Sequence, residues 1–285
     1  MELSACESAE RSDALDLALC RATIYSALAL AFRPPTETNI SRIVEPKNTA
    51  ALADAAAFLD SDGKSALVAA IETVARAGRV RVAALASSYR ALFGHTARGA
   101  VAPYETEYGN EALFQQPQEL GDLMGFYSAF GLTVKFAEHE RADHISYECE
   151  FLSFLAMKEA YAMEHGDSAM LSETRKAERL FLRDHLGRFL PAFANKLVRA
   201  TNPHPYPLPL GEGEGEGDFP GFYSALAELG LKYIALECAR FGVPLGPEYL
   251  MLRPADDERV PMACGSGAEC GAMPAACAPE GADSV

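Results

Sequence analysis

Positive charge is scarce in this sequence. Its 25 lysines and arginines face 40 aspartates and glutamates, so the formal net charge is −15 at pH 7. Such an excess of negative charge repels a phosphate backbone, which argues against nucleic acid as a partner. The same charge favours the approach of a basic peptide.

Long apolar runs and a secretory leader are also missing. The best apolar candidate, residues 22–32, falls short of the roughly 20 residues that cross a bilayer. The chain begins Met-Glu-Leu-Ser-Ala-Cys-Glu, which is acidic where a secretory leader is basic. We therefore expect a soluble, cytoplasmic protein that does not insert into a membrane.

The seven cysteines form no C-x-x-C pair, which argues against a zinc ribbon or a thioredoxin-type motif. In a long chain expected in the cytoplasm, they do not suggest a disulfide framework. Cys264, Cys270 and Cys277 lie among Gly, Ala and Pro, where they could clip a metal or form a cross-link. The interpretation we favour is a disordered tail with incidental thiols, and no cofactor is predicted.

Apolar residues recur at steps of three and four through most of the chain, which predicts amphipathic or buried helices. No run of alternating polar and apolar residues predicts a strand. The expected fold class is therefore all-α. The predicted helical segments are 13–32, 49–93 with breaks at 61–63 and at Gly78, 119–130, 143–164, 172–190, a short one after Pro191, and 222–241.

Two segments have compositions that cannot bury apolar surface. Residues 201–220 combine Pro-His-Pro-Tyr-Pro-Leu-Pro-Leu with repeated Gly-Glu and are predicted to be a flexible insert. Residues 254–285 are predicted to be a disordered tail that contains cysteines. The predicted organisation is thus one all-helical domain, 1–253, followed by that tail.

The most informative pattern lies in residues 138–151. Asp143 suits the N-cap of a helix, because its carboxylate can accept hydrogen bonds from backbone N–H groups two or three residues on. From there, His144, Glu148 and Phe151 fall on one stripe. The polar pair could present a charge-assisted hydrogen-bond site to a ligand. Alternatively, Asp143 is only a cap, and His144 with Glu148 is a solvated surface pair.

Metal binding is a further interpretation of the same region. His139-Glu140 followed by His144 resembles the zinc-protease pattern H-E-x-x-H, but the second histidine comes one residue late. The two imidazoles would therefore diverge on a helix. A metal-dependent hydrolase that uses His139, His144 and Glu148 is kept as an alternative.

A second segment, 102–109, reads Ala-Pro-Tyr-Glu-Thr-Glu-Tyr-Gly and lies where the helical periodicity lapses. Pro103 fixes its own φ and disfavours helix just before it, while Gly109 permits a turn. Two tyrosines and two carboxylates lie between them. The residues alone predict a loop held by its aromatic side chains.

Together the two segments resemble the TorD/DmsD/NarJ-like family of maturation chaperones for molybdoenzymes of the DMSO reductase family. The first segment matches the family's proline-tyrosine-glutamate loop as Pro103-Tyr104-Glu105, with Tyr108 following. The second matches its E-x-P-x-D-H-x-x-x-E pattern through Asp143, His144 and Glu148. It departs from that pattern at Arg141-Ala142, where the family usually has a proline.

The resemblance implies a TorD-like helical bundle of two lobes, with Asp143 and His144 at the hinge between them. It also implies a binding role: a cytoplasmic, system-specific chaperone that holds an apo molybdoenzyme catalytic subunit and its twin-arginine leader and assists molybdenum cofactor insertion before export or assembly. The expected client- and leader-binding residues are Tyr104, Glu105, Tyr108, Asp143, His144, Tyr147, Glu148 and Phe151. A helical assembly subunit remains an alternative, and the chain is expected to be a monomer or a domain-swapped homodimer.

Overall fold

The computed structural model describes residues 2–60, 66–94, 99–109, 115–134, 140–201 and 220–253. Within these ranges the chain forms helices and no strand longer than an isolated bridge, so the predicted all-α class is confirmed. The helices are α1 (Glu2–Ala31), α2 (Glu37–Val44), α3 (Pro46–Leu59), α4 (Ala66–Ala77), α5 (Val82–Phe93), α6 (Gln115–Ala129), α7 (Ile145–His165), α8 (Ser168–Asp184), α9 (Leu186–Thr201) and α10 (Pro220–Phe241), with a 3₁₀ turn at Glu105–Glu107. They belong to one compact unit, Met1–Arg253.

Several helix ends fall where glycine and proline predicted them. Helix α1 ends at Ala31, before Pro34-Pro35, because a proline ring disfavours the helical conformation of the residue before it. Helix α10 ends at Gly242, whose φ of +60° is open to glycine at no steric cost. The short helix α2 was not predicted.

The predicted helix from 172 to 190 has the wrong bounds. The chain breaks at His185, between α8 and α9, and α9 continues through Pro191. Because a proline has no N–H, the carbonyl of Gly187 one turn earlier lacks its helical donor. That carbonyl accepts a hydrogen bond from the backbone N–H of Gly246 at 3.0 Å. The proline thereby leaves an acceptor that ties the segment after α10 to α9.

The core lies between the two long helices α1 and α7 and the helices packed around them. Helix α1 packs along α7 and α3, while α10 packs on α4 and α9. Aromatic rings fill the space where these helices meet: the ring centroid of Phe93 lies 5.5 Å from that of Tyr223 and 6.2 Å from that of Phe193. The edge-to-face contact with Tyr223 is a favourable ring arrangement.

Helix α1 also contains a stretch, Arg11–Ala31, that is long and apolar enough to cross a membrane by length and composition. The sequence analysis did not predict a stretch of that length. Its apolar residues Ile24 and Leu28 are each 1% exposed, and so is Arg21 in the same stretch. Apolar residues covered by other helices are typical of a core helix. A buried arginine that pairs with groups of its own protein is typical of one too.

Arg21 joins four helices through charged hydrogen bonds. Its guanidinium contacts Glu159 of α7 at 2.5 Å, Glu178 of α8 at 2.8 Å and Glu237 of α10 at 2.8 Å. Burial, followed by the nearby charge of Glu159, raises the pKa of Glu178 to about 8. Arg175 also contacts Glu159 at 2.6 Å and Arg240 contacts Glu237 at 3.2 Å, but Arg21 is the buried cation that all three glutamates share.

Arg21→Leu is expected to lower the free energy of unfolding by about 3–5 kcal/mol, because three buried glutamates lose the guanidinium that they share. Urea denaturation followed by circular dichroism measures this. The matched control is Arg183→Leu, which removes an arginine whose ion pair with Asp184 is solvent-exposed. An equal loss in both variants would contradict a special role for Arg21.

Some predictions concern residues outside the described ranges. Thr201 ends α9 and Pro220 begins α10, so both ends of the predicted insert are helical, and residues 202–219 lie outside the described part of the chain. The tail 254–285, with Cys264, Cys270 and Cys277, lies outside it as well. The division into domain, insert and tail, and the two lobes with a hinge, therefore stay predictions.

Candidate functional site

The two sequence motifs lie side by side. The backbone N–H of Glu105 donates to the carbonyl of Asp143 at 2.9 Å, and that of Ile145 donates to the carbonyl of Pro103 at 2.9 Å. These bonds make Tyr104 and His144 an antiparallel bridge pair. The loop 103–108 is therefore attached to the chain just before α7.

The other edge of the same loop is paired to the segment after α10. The N–H of Gly109 donates to the carbonyl of Met251 and the N–H of Arg253 to that of Glu107, both at 2.8 Å. The guanidinium of Arg253 donates to the carbonyl of Thr106 and also contacts Glu119 of α6. Three stretches that are distant in sequence thus form a small backbone ladder with the loop in its middle.

The N-cap of α7 is His144, so the assignment of this role to Asp143 is wrong. Nδ1 of His144 accepts hydrogen bonds from the backbone N–H of Ser146 at 3.2 Å and from its hydroxyl at 2.7 Å. Because Nδ1 accepts, the ring proton sits on Nε2, which lies 3.5 Å from the hydroxyl of Tyr89. The imidazole therefore has a fixed tautomer.

Both His144 and Glu148 are fully buried, so the interpretation as a solvated surface pair is also wrong. Burial lowers the pKa of His144 to about 3, and the nearby charges of Arg33 and Arg141 act in the same direction. The ring is therefore neutral at physiological pH. Its edge packs on the ring of Tyr104, with centroids 5.4 Å apart.

Asp143 holds the loop instead of capping the helix. Its carboxylate accepts hydrogen bonds from the backbone N–H of Thr106 at 3.1 Å and from its hydroxyl at 2.7 Å. Arg141 donates to the same carboxylate through Nε at 3.0 Å and Nη2 at 2.7 Å, and through Nη1 to Glu107 at 3.1 Å. The guanidinium that stands where the family has a proline thus clamps the loop from the solvent side.

Glu105 binds a separate cation on the opposite side of the loop. Its carboxylate accepts from Arg188 of α9 at 2.6 Å and from Nδ1 of His185 at 3.0 Å. Neither partner gives a local sequence signal, because both lie some 80 positions further along the chain. For that reason no local pattern predicted them. Arg141 was noticed only as a departure from the family pattern, and its contacts with the loop were not predicted.

Glu148 differs from the other two carboxylates of the site. Both of its oxygens are buried without a hydrogen-bond partner. Burial raises the pKa of Glu148 well above its ordinary value, and the nearby charges of Glu105 and Asp143 raise it further. Both effects favour the neutral form of the carboxyl group.

The tyrosines of the loop have different surroundings. Tyr108 is buried, donates its hydroxyl to the carbonyl of Ala102 at 2.9 Å and packs on Phe189. Tyr104 is half-buried and donates to Glu140 at 3.0 Å, with the guanidinium of Arg141 stacked 4.5 Å from its ring centroid. Of the two, only Tyr104 presents part of its ring to solvent.

An open groove of about 390 Å³ begins beside the first turns of α7. Two of its lining residues, Tyr147 and Phe151, belong to the predicted site. The others are Arg33, Tyr127, Leu132, Thr133, Val134, Glu150 and Phe154. Its floor is aromatic, and its rim carries the ion pair between Arg33 and Glu150.

Within the described ranges, the structure shows no set of ligands that would support the metal-site alternative. No cluster of three or more His, Cys, Asp and Glu side chains there has the arrangement of a metal site. His139, which that alternative requires, lies outside the described residues. Nδ1 of His144 is already bonded to Ser146.

An all-α bundle in which a proline-tyrosine-glutamate loop is paired to an aspartate-histidine helix start is the arrangement expected of a TorD/DmsD/NarJ-like protein. A family model described as "Nitrate reductase delta subunit" matches residues 48–195, just over half of the chain. The chain belongs to this family, and the resemblance inferred from its two motifs is confirmed.

Several curated proteins are similar over part of the chain. A "Chaperone protein TorD" of Vibrio cholerae is 31% identical over 152 residues, which are 53% of this chain and 59% of the relative. A "Selenate reductase assembly chaperone protein" of Thauera selenatis is 36% identical over 27% of this chain and 39% of its own length. A "Perchlorate reductase assembly chaperone protein" of Dechloromonas aromatica is 38% identical over 30% and 35%.

The match to the Vibrio cholerae protein thus spans less than two thirds of that relative, and the other two matches are shorter. No solved structure matches this chain.

Asp143→Ala is expected to lower the free energy of unfolding by about 3–5 kcal/mol, because Arg141 and the backbone N–H of Thr106 lose a buried charged acceptor. Thermal and urea denaturation measure the loss. Asp54→Ala, at an exposed position of α3, is the matched control and should change stability little. Full retention of stability in Asp143→Ala would show that the loop does not depend on this carboxylate.

Proposed function

We propose that this chain is a cytoplasmic chaperone dedicated to one client system. It binds the apo catalytic subunit of a molybdoenzyme, together with the twin-arginine leader of that subunit, and assists insertion of the molybdenum cofactor before export or assembly. Family membership supports this role, as do three similar proteins whose names describe chaperones. The role is one of binding, so the chain itself needs no cofactor and catalyses no reaction.

The observation that carries the proposal is the groove beside the start of α7. Its aromatic floor of Tyr127, Phe151 and Phe154 suits an apolar peptide segment. Glu150 on its rim, 56% exposed, can accept hydrogen bonds from an arginine that precedes such a segment. The net charge of −15 favours the approach of a basic leader.

The eight predicted site residues then divide into two roles. Tyr104, Tyr147 and Phe151 reach the surface or the groove and can contact the client. Glu105, Tyr108, Asp143 and His144 are buried and hold the wall of the groove in place. Glu148 is treated separately below.

Co-purification tests the general role. Expressed together with a molybdoenzyme catalytic subunit, the chain should bind the cofactor-free subunit and be absent from the finished, cofactor-loaded enzyme. Retention in the finished enzyme would favour the assembly-subunit alternative, which the word "subunit" in the family description suggests. A micromolar complex, about −8 kcal/mol, would suffice for a chaperone that must release its client.

Tyr147→Ala tests the groove itself. We expect it to weaken binding of a twin-arginine leader peptide by about 1–2 kcal/mol, because an aromatic contact is lost. Isothermal titration calorimetry measures this affinity. Tyr161→Ala is the matched control, because Tyr161 lies on the same helix, is 52% exposed and does not line the groove. If both variants bind the peptide with equal affinity, the peptide binds at a site other than this groove.

A further inference from the structure

Glu148 is a buried acid that no group in the described part of the chain satisfies. It is fully buried in the first turn of α7, and neither carboxylate oxygen has a hydrogen-bond partner. An unsatisfied buried polar group of this kind costs stability on the order of 1–3 kcal/mol. Its retention in the middle of a binding motif therefore calls for a functional reason.

The charges around Glu148 leave it without a cation. Glu105 and Asp143 lie near enough for their charges to act on its carboxyl group, and Arg188 acts in the opposite direction. However, Arg188 donates to Glu105 and to the carbonyl of Asp184, and Arg141 is bonded to Asp143. Two of the three carboxylates thus have their own arginine, and the third has none.

The remaining groups that face Glu148 are not cations either. Its charge acts on the hydroxyl of Tyr127 in α6 and on the thiol of Cys149 beside it in α7. His185 is bonded to Glu105 through Nδ1. The cluster accordingly contains one more carboxylate than it has paired cations.

Helix α6 lies over this cluster. Tyr127 donates its hydroxyl to the carbonyl of Ala142 at 3.0 Å, and the rings of Phe126 and Tyr127 pack on that of Phe151. Phe126 lines a second groove of about 600 Å³ on the other side of α6, while Tyr127 lines the first. Four of the ten residues that line the second groove are acidic: Glu105, Glu119, Asp122 and Asp184.

Helix α6 has little intrinsic stability. Gly121 and Gly125 lie in its interior, exposed, with open space where a side chain would be. Each glycine weakens a helix by about 1 kcal/mol relative to alanine. Unwinding α6 to expose the cluster therefore costs less than unwinding a helix of the same length without interior glycines.

We propose that Glu148 receives a guanidinium group of the client when α6 is displaced, and that this cation replaces the proton held by the carboxylic acid. The acid gives its proton to the solvent, and the resulting carboxylate accepts the N–H groups of the arginine, so charge and atoms balance. The inference rests on the proposed function and adds to it a proton-linked receptor for one arginine.

Calorimetry of a twin-arginine leader peptide in two buffers of different ionisation enthalpy, at one neutral pH, measures the number of protons exchanged on binding. The full chain is expected to release about one proton, and Glu148→Gln about none. Glu173→Gln, at an exposed position of α8, should behave like the unaltered chain. A peptide whose two arginines are glutamines should release none.

The outcomes separate this inference from the function on which it rests. Peptide binding without proton release overturns the inference alone. Failure of the peptide to bind the unaltered chain contradicts both. If α6 is displaced, the double variant Gly121→Ala/Gly125→Ala should bind about thirtyfold more weakly, whereas Gly230→Ala in α10, where the added Cβ meets only ordinary contacts, should not. Unchanged affinity in the double variant would overturn the displacement of α6.

The pH dependence of stability gives a readout that needs no client. Because the pKa of Glu148 is raised by folding, the folded protein binds a proton that the unfolded chain releases above its ordinary pKa. The stability that depends on this proton is complete at acidic pH and is lost as the pH rises toward the folded pKa. Glu148→Gln, which mimics the neutral acid, should flatten the fall of the melting temperature between mildly acidic and alkaline pH. An equally steep fall in this variant would show that Glu148 is already ionised.

Discussion

The double pairing of the loop 103–109 is the constraint on which the site depends. One edge of the loop is bonded to the chain at 143–145 and the other to 251–253. Backbone groups that would be unsatisfied in a buried loop thus find partners on both sides. Because the loop cannot shift without breaking both sets of bonds, it fixes the start of α7 and the wall of the groove beside it.

This arrangement brings three carboxylates into a small buried volume, and each is treated differently. Asp143 is paired with Arg141 and Glu105 with Arg188, so these two acids act as structural acceptors. Among the described residues, Glu148 has no such partner. The difference comes from the number of available cations, because all three side chains are buried to the same degree.

Some residues of the candidate site are buried and hold the loop, while others line the groove. This division suits a chaperone that must bind and release its client. The buried residues keep one surface rigid, while the groove beside α7 leaves room for a peptide and two interior glycines weaken α6. Binding that requires α6 to move and a proton to leave is weaker than binding to a preformed pocket, because part of the interaction energy is used in the rearrangement. Moderate affinity suits a protein that hands its client on.

Much of the secondary structure could be predicted from local patterns. The periodicity of apolar residues predicted the helices, and Pro34-Pro35 and Gly242 marked helix ends, because backbone sterics act within a few residues. The same local reasoning failed at Pro191, whose missing hydrogen bond is compensated by Gly246 from a distant segment. It also failed at Asp143, where a nearby loop competes with the helix end for the carboxylate.

The sequence by itself determined the all-α class, the family and the two segments that form the site, because period, turn residues and motif spacing are local properties. Only the tertiary structure decided what each site residue does. Burial of His144 and Glu148, the pairing of Glu105 with Arg188, and the lack of a cation for Glu148 arise from contacts between elements far apart in the chain. Charge and hydration depend on those contacts, so no pattern of neighbouring residues could have revealed which carboxylate remains unpaired.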